Sequence, residues 1–174
     1  MSETHLYGSS QAPKPYAFDP VTQPEYFEGV LSRRFMAFLI DAVIIIGPIV
    51  LAGFFIFVFG IVTLGLGWFL FGLLGPAFVI WAVAYAGLTL GGAHSATLGM
   101  RAVDIEMRLW YGAPMYGLLA MMSVVFFWVS VSLLTPFVLL VALFNGRRRL
   151  LHDLLLGTVV VNTPARAARL RQHY

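Results

Sequence analysis

The chain has no cysteine and very little charge. The first absence excludes disulfides, thiol catalysis and cysteine-ligated clusters. The second is more informative. Asp, Glu, Lys and Arg make up 11% of the 174 residues, against about 25% in soluble domains. Across residues 35–89, a stretch of 55, Asp41 is the only charged side chain. A second uncharged run of 38 residues lies between Arg108 and Arg147. A membrane helix needs about 20 apolar residues, so the first run holds two spans and a connection. With 60% hydrophobic residues and a mean hydropathy of +0.86, the sequence predicts an integral membrane protein. The first 32 residues carry scattered acids and prolines, not a short basic stretch followed by an apolar one, so no cleavable signal is expected. The pI near 9.5 does not require a nucleic-acid partner, because Lys and Arg flanking spans report orientation. His94 and His152 make a poor metal site without further ligands at a recognisable spacing. No metal, cofactor or catalytic set is expected.

The composition divides the chain into three parts. Residues 1–23 read as a disordered cytoplasmic tail, punctuated by Pro13, Pro15 and Pro20 and lacking an apolar period. Residues 24–162 read as a membrane domain with spans at about 35–59, 68–90, 115–131 and 134–144. Residues 163–174 are a basic tail. The glycine-rich residues 60–67 are expected to turn outside the membrane. Gly87 and Gly91 have the spacing that lets helices approach closely. In "AVDIEMRLW", Val103, Ile105, Met107 and Leu109 alternate with Asp104, Glu106 and Arg108, a strand period. Its only β-prone mate outside the spans is "GTVVVN" (residues 157–162), so the two are expected to pair on the cytoplasmic face. The run 115–144 fits either one long tilted helix or two short ones. Two short ones keep all eleven Lys and Arg on one side and obey the positive-inside rule. Pro136, with Ser132 or Thr135 ahead of it, suits the start of the second. The expected fold is therefore an all-α membrane protein: two full transmembrane helices, a short helical hairpin and a small two-stranded β element, with both termini cytoplasmic.

Arg34 and Asp41 are seven residues apart, two turns on one helix face. Arg101, His94, His152 and Asp153 fall at the same level. The stretches "RRFMAFLID", "SATLGMR" and "RRRLLHDLLLGTVVV", in that order, resemble the RDD family of bacterial membrane proteins over roughly residues 26–162. The family is named for one arginine and two aspartates, which map here to Arg34, Asp41 and Asp153. Family members often carry Thr-x-Gly-Lys after the second span, and this chain has Met100 at the lysine position. The resemblance implies a multi-pass protein of the bacterial inner membrane with a largely uncharacterised role. Cation–proton exchange has been associated with some members.

An intramembrane acid has two readings. It marks a transport path, or it pairs with an arginine and fixes how helices pack, with Arg34 and Arg101 as first candidates here. The polar cluster Arg34, Asp41, Arg101, His152 and Asp153 is expected to be structural, because no second acid in the spans continues a path. His152 and Asp153 are adjacent without a nucleophile beside them, so a cap or packing network is expected there, and no enzyme. The role expected is a structural or accessory module docking on partner helices, with a small ion or proton transporter using Asp41 as the alternative. The partners expected are the lipid bilayer, anionic headgroups at the basic termini (Arg166, Arg169, Arg171) and a membrane protein or a second copy.

Overall fold

A computed structural model describes residues 17–134 and 151–172. Helix α1 (Val30–Val62) begins after Gly29, whose φ of +66° suits glycine. Its 33 residues span about 50 Å at 1.5 Å per residue, well beyond a ~30 Å hydrocarbon core. The expected span 35–59 is therefore its middle. Val30 and Ala37 are buried in the first turns of the helix. Pro48 lies within the helix.

After a turn at 63–65, a 3-10 segment (Leu66–Leu73) folds back along the end of α1. The Trp68 indole stacks on Phe57, and its Nε1 donates to the Phe57 carbonyl at 3.3 Å. Gly60 has no side chain to spare, since the Trp68 ring occupies the place of a Cβ. Helix α2 (Leu74–Leu90) follows. The expected second span thus has two parts, a 3-10 start and an α-helical remainder.

Helix α4 (Gly117–Leu134) packs on α2. A Cβ on Gly91 would lie 2.5 Å from the Gly117 Cα, and one on Gly87 would lie 2.6 Å from Met121 Cε. The Gly87/Gly91 spacing therefore serves packing inside the chain. Helix α4 runs on to Leu134, through the break expected near residue 132. The expected element 134–144 beyond its first residue, with Pro136, and Arg147, Arg148 and Arg149 lie outside the described residues.

Between α2 and α4 the chain forms a short helix α3 (Leu98–Ala102) and strand β1 (Ile105–Leu109). Beyond the second apolar run come α5 (Leu151–Leu156), strand β2 (Thr158–Asn162) and α6 (Pro164–Arg171). The two strands pair antiparallel, with Met107 opposite Val160, as the alternation requires. Gly157 ends α5 with φ +65° and turns the chain into β2.

One sheet face, with Ile105, Met107, Leu109 and Val160, joins Val30, Ala86, Leu90 and Leu119 in the main core. The other face is covered too. Val159 and Val161 pack against Phe27, with Phe18 and Tyr26 around them. The alternating strand pair is thus covered on both faces. Glu106 is buried and held by both nitrogens of an Arg108 fork at 2.9 and 3.0 Å. The cover also recruits the end of the supposed tail: Ala17 N donates to the Trp110 carbonyl, and Phe18 packs on Tyr26. Buried residues thus gather at the sheet end. Along α1 beyond that end the most apolar window has none of its residues buried inside the chain.

Candidate functional site

Asp41 sits on α1 at the level where α2 ends and α3 begins. Its carboxylate accepts three hydrogen bonds: from the Tyr85 hydroxyl at 2.6 Å, from the Thr97 hydroxyl at 2.6 Å and from Gly99 N at 2.8 Å. Two of the donors, the hydroxyls, are themselves held by backbone amides. Leu98 N donates to the Tyr85 oxygen, and Met100 N donates to the Thr97 oxygen as Thr97 caps α3. Each hydroxyl thus accepts from the backbone of the segment after α2 and bonds Asp41 on its other side. Gly99 is required by closeness as well: a Cβ there would stand 2.8 Å from Asp41 Cγ and would strike the Ala37 carbonyl. The "SATLGMR" segment is thus a loop wrapped around one carboxylate.

Arg34 takes the other aspartate. Its Nη1 donates to Asp153 Oδ2 at 2.7 Å, and the Thr158 hydroxyl donates to Oδ1 at 3.1 Å. The pair is deeply buried, with side-chain exposures of 10% and 1%. It ties α1 to α5 and, through Thr158, to β2. The remaining guanidinium nitrogens, Nε and Nη2, are buried without a hydrogen-bond partner among the described residues.

Arg34, Asp41 and Asp153 all line one partly open cavity of about 270 Å³ bounded chiefly by α1, α2 and α4. Its polar end includes Tyr85, Thr97 and Ser123, and its far end is apolar, with Ile45, Ile46, Phe78, Phe127 and Trp128. Met100 stands in the wall, so the lysine position of the family pattern faces this space.

The expected pairing of Asp41 with an arginine is overturned. Hydroxyl and amide donors satisfy it, because the loop after α2 reaches Asp41 while Arg34 is drawn to Asp153. Arg101 is exposed and bonds the Ala96 carbonyl, so it stays outside the cluster. The side chain of His152 lies outside the described residues. The basic tail is helix α6, docked on the polar layer through Arg169 to Asp104 and Arg171 to Glu25. Those two arginines are therefore engaged within the chain, with side chains that stay 65% and 63% exposed. Sequence reasoning missed Tyr85 and Thr158. Tyr85 carried a signal, since a tyrosine hydroxyl buried in a span needs a partner.

Two long apolar helices with uncovered flanks, joined at one end by a small polar layer, define a helical membrane protein. The most apolar windows of these helices are 0% and 11% buried, unlike core helices of a soluble fold. The model of the RDD family matches residues 29–157, and the chain belongs to that family. No curated protein and no solved structure matches the chain. The family model takes in Arg34, Asp41 and Asp153.

Proposed function

We propose that the chain is a structural or accessory module of the bacterial inner membrane that docks on partner helices, and that its polar cluster is a frame and not an ion path. The observation that carries this is the Asp41 network. A transport carboxylate must exchange a proton or cation with water, whereas all the hydrogen bonds of Asp41 come from fixed donors of its own chain. Beyond Asp41 the cavity wall turns apolar, and proton paths in membranes use successive polar or ionisable groups. The long bare flank of α1 leaves room for another helix. Exchange of a small cation through Asp41 is the second reading, favoured only by the cavity beside it.

Asp41→Asn replaces charge-assisted bonds by neutral ones and should cost about 1–2 kcal/mol, and Asp41→Ala should cost more. Both should lower the melting temperature in detergent. Extracted in mild detergent, the wild-type chain is expected in a complex above its own 19.2 kDa, and these variants are expected to weaken that complex. A well-folded Asp41→Asn that abolishes a pH-dependent ion flux in proteoliposomes would overturn the reading in favour of exchange.

The same proposal places the sheet end in the cytoplasm. The contacts of Arg33, Arg34, Arg101, Arg108, Arg169 and Arg171 all lie in that layer, which is where the positive-inside rule puts basic residues. A cysteine at position 172, beside α6, should resist an impermeant thiol reagent in intact cells and react after lysis. Labelling before lysis would reverse the orientation.

A further inference from the structure

The free edge of Arg34 is the most poorly satisfied cation among the described residues of the polar layer. Nη1 is used by Asp153, while Nε and Nη2 are buried and unpartnered. These two nitrogens share one edge of the planar guanidinium and present parallel donors to whatever oxygen lies before them. A buried donor left without an acceptor is costly, and such a group in a native fold calls for a missing partner. Arg34 lines the cavity, so the cavity is where an acceptor would come from.

Charge restricts the acceptor. Among the described lining residues the ionisable charges are those of Arg34, Asp41 and Asp153, which leaves one negative charge in excess. A further anion would be repelled, whereas a neutral carbonyl oxygen would not. Shape restricts the rest of the ligand. The lining on α1 runs from Arg34 to Ile46, about 18 Å along the helix at 1.5 Å per residue. The end away from Arg34 is walled by Ile45, Phe78 and Phe127. Ile46 and Trp128, also in that wall, are 49% and 48% exposed, so the apolar end opens toward lipid. A bilayer lipid has this polarity, with a carbonyl near the membrane surface and hydrocarbon running inward.

We propose that the cavity between α1, α2 and α4 is a binding site for one acyl chain of a bilayer lipid, whose ester carbonyl accepts from Nε and Nη2 of Arg34. The site goes beyond the accessory role and stands without it, because it needs only the membrane and the free edge.

The probe is the methyl ester of a stearic acid brominated in mid-chain, a neutral acyl ester that quenches tryptophan on contact. It is added to the delipidated full chain in detergent, with Trp68, Trp81 and Trp110 changed to Phe so that Trp128 reports alone. Quenching should saturate. Arg34→Lys keeps a charge beside Asp153 but lacks the second edge. It should raise the half-quenching concentration about tenfold, as for the loss of one bond to a charged donor. Ala82→Phe fills the buried wall of the cavity and should remove the saturable part, and it keeps the test decisive if Arg34→Lys does not fold. Linear quenching of equal slope in every variant would overturn the site and leave only contact with the outer surface. Tighter saturation by the brominated free acid at about pH 8, where a carboxyl is ionised, would overturn the neutral carbonyl and indicate an anion site.

Discussion

Asp153→Ala should destabilise the protein by about 3–5 kcal/mol, the range for a buried ion pair that loses one partner. Asp153 is fully buried, and Arg34 is nine-tenths buried on the other side of a 2.7 Å contact. Removing the carboxylate leaves a guanidinium with two of its nitrogens already unpartnered among the described residues and takes away its ion-pair partner. The Thr158 hydroxyl loses its acceptor at the same time, so the end of α5 and the start of β2 come loose together. The comparison that isolates the charge is the double variant Arg34→Met with Asp153→Leu, which removes both ions and should recover most of the loss. Unfolding in detergent micelles, followed by circular dichroism, measures both. If the double variant is no more stable than Asp153→Ala, unpaired charge is not the cause and the hydrogen-bond geometry is.

Gly99→Ala should cost about 3 kcal/mol, the sum expected from overpacking and from a weakened bond to a charged acceptor. The new methyl would stand 2.8 Å from Asp41 Cγ, with the Ala37 carbonyl closer still. Neither neighbour is the flexible end of a long side chain, so α3 must move away from α1. That movement stretches the Gly99 N bond to Asp41 and disturbs the Thr97 cap that shares the same carboxylate. Gly47, also on α1, has nothing within 4 Å of its missing Cβ, so Gly47→Ala should leave stability unchanged or raise it slightly, as glycine is a poor helix former. Equal melting temperatures for Gly99→Ala and Gly47→Ala would mean that the loop around Asp41 is not tightly held.

Much of this was legible beforehand because the signals were local. Helix α1 announced itself by the length of its uncharged run, and the strands by alternation at Ile105, Met107 and Leu109 and by a single β-prone mate. The close approach at Gly87 and Gly91 was legible as a spacing. It did not say which helix would arrive, and α4 does so through Gly117. The three named residues of the family were found by motif, yet their pairing was not. Arg34 and Asp41 share a face of one helix, which suggested a partnership. Both side chains are claimed instead by residues far along the chain, at separations of 119 for Arg34 with Asp153 and 56 for Asp41 with Thr97. The burial of Glu106 was hidden for a similar reason. The segment covering that strand face comes from residues 18–27, which showed no apolar period of its own.

By itself, then, the sequence determined the solvent of this protein, its principal helices, its strand pair and its family. Each of these depends on composition or on a period along neighbouring residues, and the bilayer imposes both wherever the backbone must satisfy its own hydrogen bonds. Only the tertiary structure decided which donor meets which acid. A carboxylate in an apolar layer takes whatever donors the fold brings within about 3 Å, and that choice belongs to the packing of α1 against the loop after α2 and against α5. The same packing left Nε and Nη2 of Arg34 buried without an acceptor among the described residues, a feature that no pattern in the chain foretold.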